Sequence, residues 1–130
     1  MPSSDDRRWD GLLFDAHAHV GRSLFGIELS VDDLLASMDN NSVERAILVP
    51  LKPPGYDLAP ENTLVGQAVR QQDDRFHGFA RVDPWQGERA MDELRRSHED
   101  LDARGLFLHP FEEQFAANDE RVFPLMTYLQ

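Results

Sequence analysis

Phe14-Asp15-Ala16-His17-Ala18-His19-Val20 closes the first apolar run of the chain and sets two imidazoles two residues apart at its end. Read as a strand from Leu12 to His19, its side chains alternate between faces, so Asp15, His17 and His19 are expected on one side. Residues i and i+2 on a strand lie about 6–7 Å apart. Two ring nitrogens can then reach one cation at about 2.0–2.1 Å each. A histidine pair can also simply end a strand. What favours a metal is its place at the C-terminal end of the first strand of a βα series, the edge where parallel α/β sheets carry their chemistry.

From that strand outward one rhythm repeats roughly every thirty residues: a β-branched or aromatic run, turn residues, then a helical pattern. A Gly-containing loop over 20–29 leads to Ser30, a good N-cap with Asp33 three residues on. Val31, Leu34, Leu35 and Met38 follow at helical spacing, and Asn40-Asn41 ends the helix. The second strand is Ala46-Ile47-Leu48-Val49, stopped by Pro50; after a Pro/Gly-rich loop a helix is predicted over 62–72. The third strand spans 76–82 and ends at Asp83-Pro84, with a helix over 88–101 behind it. The fourth is Leu106-Phe107-Leu108, opened by Gly105 and closed by His109-Pro110. Asn118 or Asp119 then caps a last helix carrying Phe123, Leu125, Met126 and Leu129.

Four consecutive βα units with no hairpin signal between them imply parallel strands and right-handed crossovers. The last helix is still in its apolar pattern at Gln130, without a capping glycine or proline. An eight-stranded barrel of this kind needs about 250 residues. The expectation is therefore an α/β fold, the N-terminal half of a TIM (β/α)8 barrel. Residues 1–130 form one partial domain, of which 1–10 are a polar tail.

Composition bounds the function. Thirteen basic against 24 acidic residues give a formal charge of −11, which argues against nucleic acid or an anionic membrane as partner, since both reward basic patches. With no cysteine, thiolate metal sites are excluded. The N-terminus is polar, with no apolar run of signal-peptide length, and no stretch approaches the ~20 apolar residues of a membrane span. A soluble, cytoplasmic protein is expected.

Beyond the histidine pair, three residues are candidates. His109 ends the fourth strand, where it either faces the barrel mouth and meets a metal-bound water or the substrate, or merely stops the strand with Pro110. Arg81, near the end of the third strand, either holds a substrate carboxylate bidentately or pairs with Asp83. Asp15 either orients a ligating imidazole or sits in a polar network at the barrel floor. His77 and His98 read as surface or helix-flank residues, and Glu112-Glu113 as a solvated charge pair.

The ordered segments FDAHAHVG, RAILVP, FHGFARVDP and ARGLFLHPFEEQF followed by NDERVFPL resemble the first half of an amidohydrolase-related protein, more narrowly of the amidohydrolase 2 group of metal-dependent barrel hydrolases and decarboxylases. The resemblance runs from about Leu12 onward. It implies His17 and His19 as metal ligands, with further ligands on later strands beyond Gln130. Many relatives carry a lysine in the G-x-K-L-H-P segment; here that place is Phe107, and the chain's only lysine is Lys52. A lysine-bridged pair of metals is therefore not expected; a single divalent ion, zinc by expectation, fits better. The implied activity is hydrolysis of an amide, ester or lactone of a small-molecule substrate, with decarboxylation as the alternative within the group. Two other readings stay open: a TatD-like nuclease or PHP-type phosphoesterase, and a non-catalytic half-barrel. Against the first stand the acidic charge and the absence from this chain of a glutamate at the end of strand four, where TatD-like proteins have one. Half a barrel has two free strand edges, so a homo-oligomer is also expected.

Overall fold

The computed structural model describes residues 11–130; the polar tail over 1–10 lies outside the described residues. The chain runs β1 (Leu13–Arg22), β2 (Glu28–Leu29), α1 (Val31–Asn40), β3 (Val43–Pro50), α2 (Ala59–Gln71), β4 (Phe76–Gly78), β5 (Ala80–Arg81), α3 (Glu88–Leu101), β6 (Leu106–Phe107) and α4 (Phe123–Tyr128). β1 pairs in parallel with β3, β3 with β4, and β5 with β6. β4 and β5 are one path interrupted at Phe79, whose amide still donates to Leu48 O at 2.9 Å. Four parallel rungs thus follow in sequence order, each crossed by a helix. This is half of a (β/α) barrel, as the repeat implied.

The local reasons are those of the sequence. Ser30 caps α1, its hydroxyl accepting from the Asp33 amide at 3.1 Å and donating to the Asp33 carboxylate at 2.8 Å. Leu34 and Met38 turn inward and pack with Ala18, Val20, Ala46 and Leu48 of the sheet and Val65, Ala68 and Val69 of α2. A second cluster joins Ala80 and Val82 to Ala90 and Leu94 of α3 and Leu125 of α4. These layers cover the outer face of the sheet. Among the described residues no helix is long and apolar enough to cross a membrane.

Several details depart from the expectation. The loop after strand one is not plain loop: β1 runs on to Arg22 and pairs antiparallel with β2, Gly21 opposite Leu29. Gly21 adopts φ +111 there, and a Cβ on it would lie 2.7 Å from a Glu61 carboxylate oxygen. α2 starts at Ala59 rather than Asn62, because Pro60 fits the first turn of a helix. The last helix begins as a 3₁₀ turn over Glu120–Val122, capped by Asp119.

The departure that matters most is in β1. The β1–β3 pairing slips between Asp15 and Ala18, so that one extra residue of β1 is accommodated against β3. A bulge of this kind shifts the alternation of faces by one. Asp15 is in register with Ala46, and Ala18 with Leu48, both helix-facing core positions. The expected common face for Asp15, His17 and His19 is therefore corrected: the two histidines share the inner face and Asp15 has the opposite parity.

Candidate metal centre

His17 and His19 lie at the C-terminal part of β1, beside the last residues of β3. The inward turn that the bulge gives them brings their rings together edge-on, with centroids 4.6 Å apart. Their Nε2 atoms are 2.8 Å apart. The Nδ1 of His19 lies 3.1 Å from Val49 O. A carbonyl only accepts, so Nδ1 carries the proton and the Nε2 lone pair is free. That is the arrangement by which a ligating imidazole is usually held, its far nitrogen tied to a carbonyl or carboxylate. In the pair as it stands, His17 Nε2–H then donates to His19 Nε2.

Two nitrogens each about 2.0–2.1 Å from one ion can be no more than about 4.2 Å apart, and the 2.8 Å separation satisfies this. The pair suits one borderline divalent cation; two imidazoles do not by themselves choose among zinc, iron, copper and nickel. Burial pulls the His19 pKa below the ordinary value; the Val49 carbonyl opposes this, His17 and Arg81 reinforce it and Glu112 opposes it. The neutral ring that a metal requires is thereby favoured. Among the described residues no group of three or more His, Cys, Asp or Glu side chains surrounds a metal position. The described residues bring two nitrogens together and no third ligand beside them.

Phe107, where many relatives of the resembled group place lysine, stands against both rings, 5.1 Å from His17 and 6.0 Å from His19 between centroids. Behind it the structure assembles a cluster that the sequence reading did not foresee. Arg81 is 1 % exposed, with its guanidinium carbon 5.5 Å from the Phe107 ring centre. Its Nε and Nη2 donate to Glu113 Oε1 at 3.1 and 2.7 Å, Nη2 also meets Glu112 Oε2, and Nη1 donates to Pro50 O at 3.2 Å. Lys52 approaches the same Glu113 oxygen at 3.3 Å. Two cations and two carboxylates thus cancel at the ends of β3, β5 and the loop after β6. Burial would raise the Glu112 pKa, but the Arg81 hydrogen bond and charge, with His109 and Lys52 behind them, hold it below the ordinary carboxylate value.

Three expectations are corrected here. Arg81 does not pair with Asp83, which caps the turn after it by accepting from Trp85 N at 3.0 Å; nor is its fork open to a substrate, since both glutamates occupy it. Glu112-Glu113 is not a solvated pair, for Glu113 is 4 % exposed. Asp15 accepts from the backbone amide of His17 at 2.9 Å rather than from an imidazole, a consequence of the bulge. A signal for the cluster was present: an arginine inside Ala80-Arg81-Val82, a strand buried on both faces, must find carboxylates. Only Glu112-Glu113 follows the neighbouring strand at the same edge. His109 is partly buried, its Nδ1 accepting from Glu112 N at 3.1 Å. His98 lies on the flank of α3, its Nδ1 2.9 Å from Tyr128 O–H.

No family model matches the chain, and no curated protein matches it. Solved structures do. A 5-carboxyvanillate decarboxylase of Novosphingobium aromaticivorans, solved with bound manganese and 3-methoxy-4-hydroxy-5-nitrobenzoic acid, superposes with a TM-score of 0.71 at 15% identity, over 91% of this chain and 47% of that one. A 2,6-dihydroxybenzoate decarboxylase from Rhizobium matches with a TM-score of 0.63 at 18% identity, over 89% and 45%. The 4-oxalomesaconate hydratase of Rhodopseudomonas palustris matches with a TM-score of 0.61 at 16% identity, over 91% and 49%. The chain spans about half the length of these proteins. The likeness establishes the fold alone: half of a TIM barrel.

Proposed function

We propose that this chain carries the first two metal ligands, His17 and His19, of a metal-dependent enzyme of the amidohydrolase type acting on a small molecule. The observation that carries the reading is the convergence of the two Nε2 atoms, with His19 fixed by Val49 O. A divalent ion held there, zinc as the sequence resemblance leads one to expect or manganese by analogy with one neighbour, would bring the pKa of a bound water towards about 7 and polarise a substrate oxygen. The remaining work belongs to residues of the chain. The Val49 carbonyl holds the His19 ring in its ligating tautomer. Phe107 stands edge-on against both rings. The Arg81 cluster keeps the loop after β6 against the mouth without presenting a net charge.

Hydrolysis of an amide, ester or lactone is the chemistry that the sequence resemblance implies. A second reading, decarboxylation of a carboxylated aromatic acid, is supported by the neighbours, two of which are decarboxylases of such acids. The metal reading is tested by calorimetric titration of the purified chain with zinc and with manganese. Weak 1:1 binding is expected, abolished by His17→Ala or His19→Ala; binding that survives both substitutions would remove the site from β1. The reaction class is decided in a complete barrel that contains this half. Release of carbon dioxide from a 2-hydroxybenzoate supports the lyase reading, and turnover of a lactone supports the hydrolase.

A further inference from the structure

Three imidazoles surround the Phe107 ring edge-on: His17, His19 and, with centroids 6.0 Å apart, His109. Their protons are not placed alike. The Glu112 backbone amide donates to His109 Nδ1 at 3.1 Å. An amide N–H can only donate, so Nδ1 presents its lone pair and the neutral ring carries its proton on Nε2. His19 is the reverse case, with its Nδ1–H on Val49 O and its Nε2 lone pair free. One rim therefore holds two imidazoles of opposite tautomer, one shaped to ligate and one shaped to donate.

The lock on His109 is built rather than incidental. The amide that sets it belongs to Glu112, whose carboxylate is gripped by the buried Arg81. The same loop is closed by Glu113 N donating to His109 O at 3.1 Å and Phe115 N to Pro110 O at 3.0 Å. Phe115 is itself buried, and Trp85 Nε1 donates to Gln114 O at 3.0 Å. The direction of the Glu112 N–H is thus fixed from several sides. Among the described residues no protein acceptor meets His109 Nε2, although the ring is only partly exposed.

We infer that His109 is a locked Nε2–H donor that hydrogen-bonds a carboxylate or carbonyl oxygen of the small molecule held at the His17–His19 pair, and that it is not a metal ligand. The inference rests on the metal reading of that pair. It assigns a role by proton placement: a neutral imidazole fixed in this tautomer offers no lone pair towards the mouth, so it can stabilise an oxygen carrying negative charge but cannot coordinate a cation through Nε2.

The test is a two-bond proton–nitrogen correlation spectrum of the histidine-labelled chain at pH 8, recorded free, with zinc alone, and with zinc plus salicylate. In the free chain His109 is expected protonated on Nε2 and His19 on Nδ1. Zinc should move the Nε2 resonances of His17 and His19 and leave the His109 Nε2–H in place. Salicylate should then shift the His109 Nε2–H. In parallel, His109→Phe should weaken salicylate binding to the zinc-loaded chain by about tenfold, the loss of one hydrogen bond to a charged acceptor. His109→Gln, which keeps a donor near the Nε2 position, should retain most of it; neither variant should change zinc affinity. A His109 ring protonated on Nδ1, or an Nε2 proton lost on adding zinc, overturns the inference while leaving the His17–His19 reading intact. If zinc moves neither His17 nor His19, the metal reading falls and the donor role falls with it, whereas the tautomer recorded before metal addition stands.

Discussion

The Arg81 side chain makes four hydrogen bonds from a site of 1 % exposure, two of them to Glu113, which is 4 % exposed. Removing one partner of a buried ion pair leaves the other uncompensated, at a cost of about 3–5 kcal/mol. Arg81→Met is therefore expected to lower unfolding stability by about that amount in urea titration. Combining it with Glu112→Gln should recover a part, because one stranded carboxylate goes with the arginine while Lys52 still faces Glu113. An equal loss in the double variant would mean that the arginine contributes packing rather than charge. The acid side follows from the same contacts. Glu112, held by Arg81, and Glu93, held by Arg96 and Asn62 against its own burial, both titrate below the ordinary carboxylate value of 4.5. Groups depressed in this way contribute stability above their unfolded pKa and lose it as pH falls through the folded one. Glu61, raised by burial, works in the opposite direction and in a higher window, adding stability as pH falls from its raised value towards 4.5. The melting temperature should fall as pH drops below about 4.5, and Glu112→Gln should flatten that fall; an unchanged slope would remove Glu112 from the account. At this scale the sequence was half legible. That His17 and His19 approach one another was readable from their i, i+2 spacing on a strand, whereas Arg81 meets partners more than thirty residues away, a distance across which local pattern carries no register.

The interrupted third strand shows how one side chain can stand in for a neighbour. Asn62, in the first turns of α2, donates to Arg81 O at 2.9 Å and accepts from Arg81 N at 2.8 Å, completing both backbone groups of that residue as a paired strand would. It is 3 % exposed and also donates to Glu93 of α3 at 2.9 Å. A buried backbone group left unsatisfied costs about 1–3 kcal/mol. Asn62→Ala strands two, and should lower the denaturant midpoint by the equivalent of about 2–4 kcal/mol with an unchanged m-value. A loss under 1 kcal/mol, a smaller figure than the ~1–3 kcal/mol for even one stranded group, would mean that water replaces the amide. The elements themselves were largely readable, because a βα unit is a local object: apolar alternation, a turn, then a 3.6-residue stripe. The third helix, Glu88–Leu101, falls on its predicted span. What escaped was whatever sterics decide at single residues, namely the bulge that reversed Asp15, the break at Phe79 and the short β2 ribbon. None of these changes the apolar pattern from which the strands were read.

For the whole molecule the open question is what an unclosed barrel does with its edges. Among the described residues, beyond the two-residue ribbon with β2, β1 pairs only with β3, and β6 pairs only with β5. Along the β1 edge Leu12, Leu13 and Phe14 are exposed, Phe14 by 52 %; at the far side Phe123, Met126 and Leu129 of the last helical segment are exposed as well. In a closed barrel strand edges of this kind vanish, and helices of the outer ring cover one another. Unpaired, apolar and without lysine, they are edges of the type that pair with another chain. The 130-residue chain expressed alone is therefore expected to sediment as a dimer or larger species at micromolar concentration, with a melting temperature that rises with protein concentration. Replacing Phe14 with lysine on the β1 edge should shift the population towards monomer without abolishing the folded circular dichroism signal. A monomer whose melting is independent of concentration would show that the outer helices and the Arg81 cluster suffice to stabilise four strands with both edges bare.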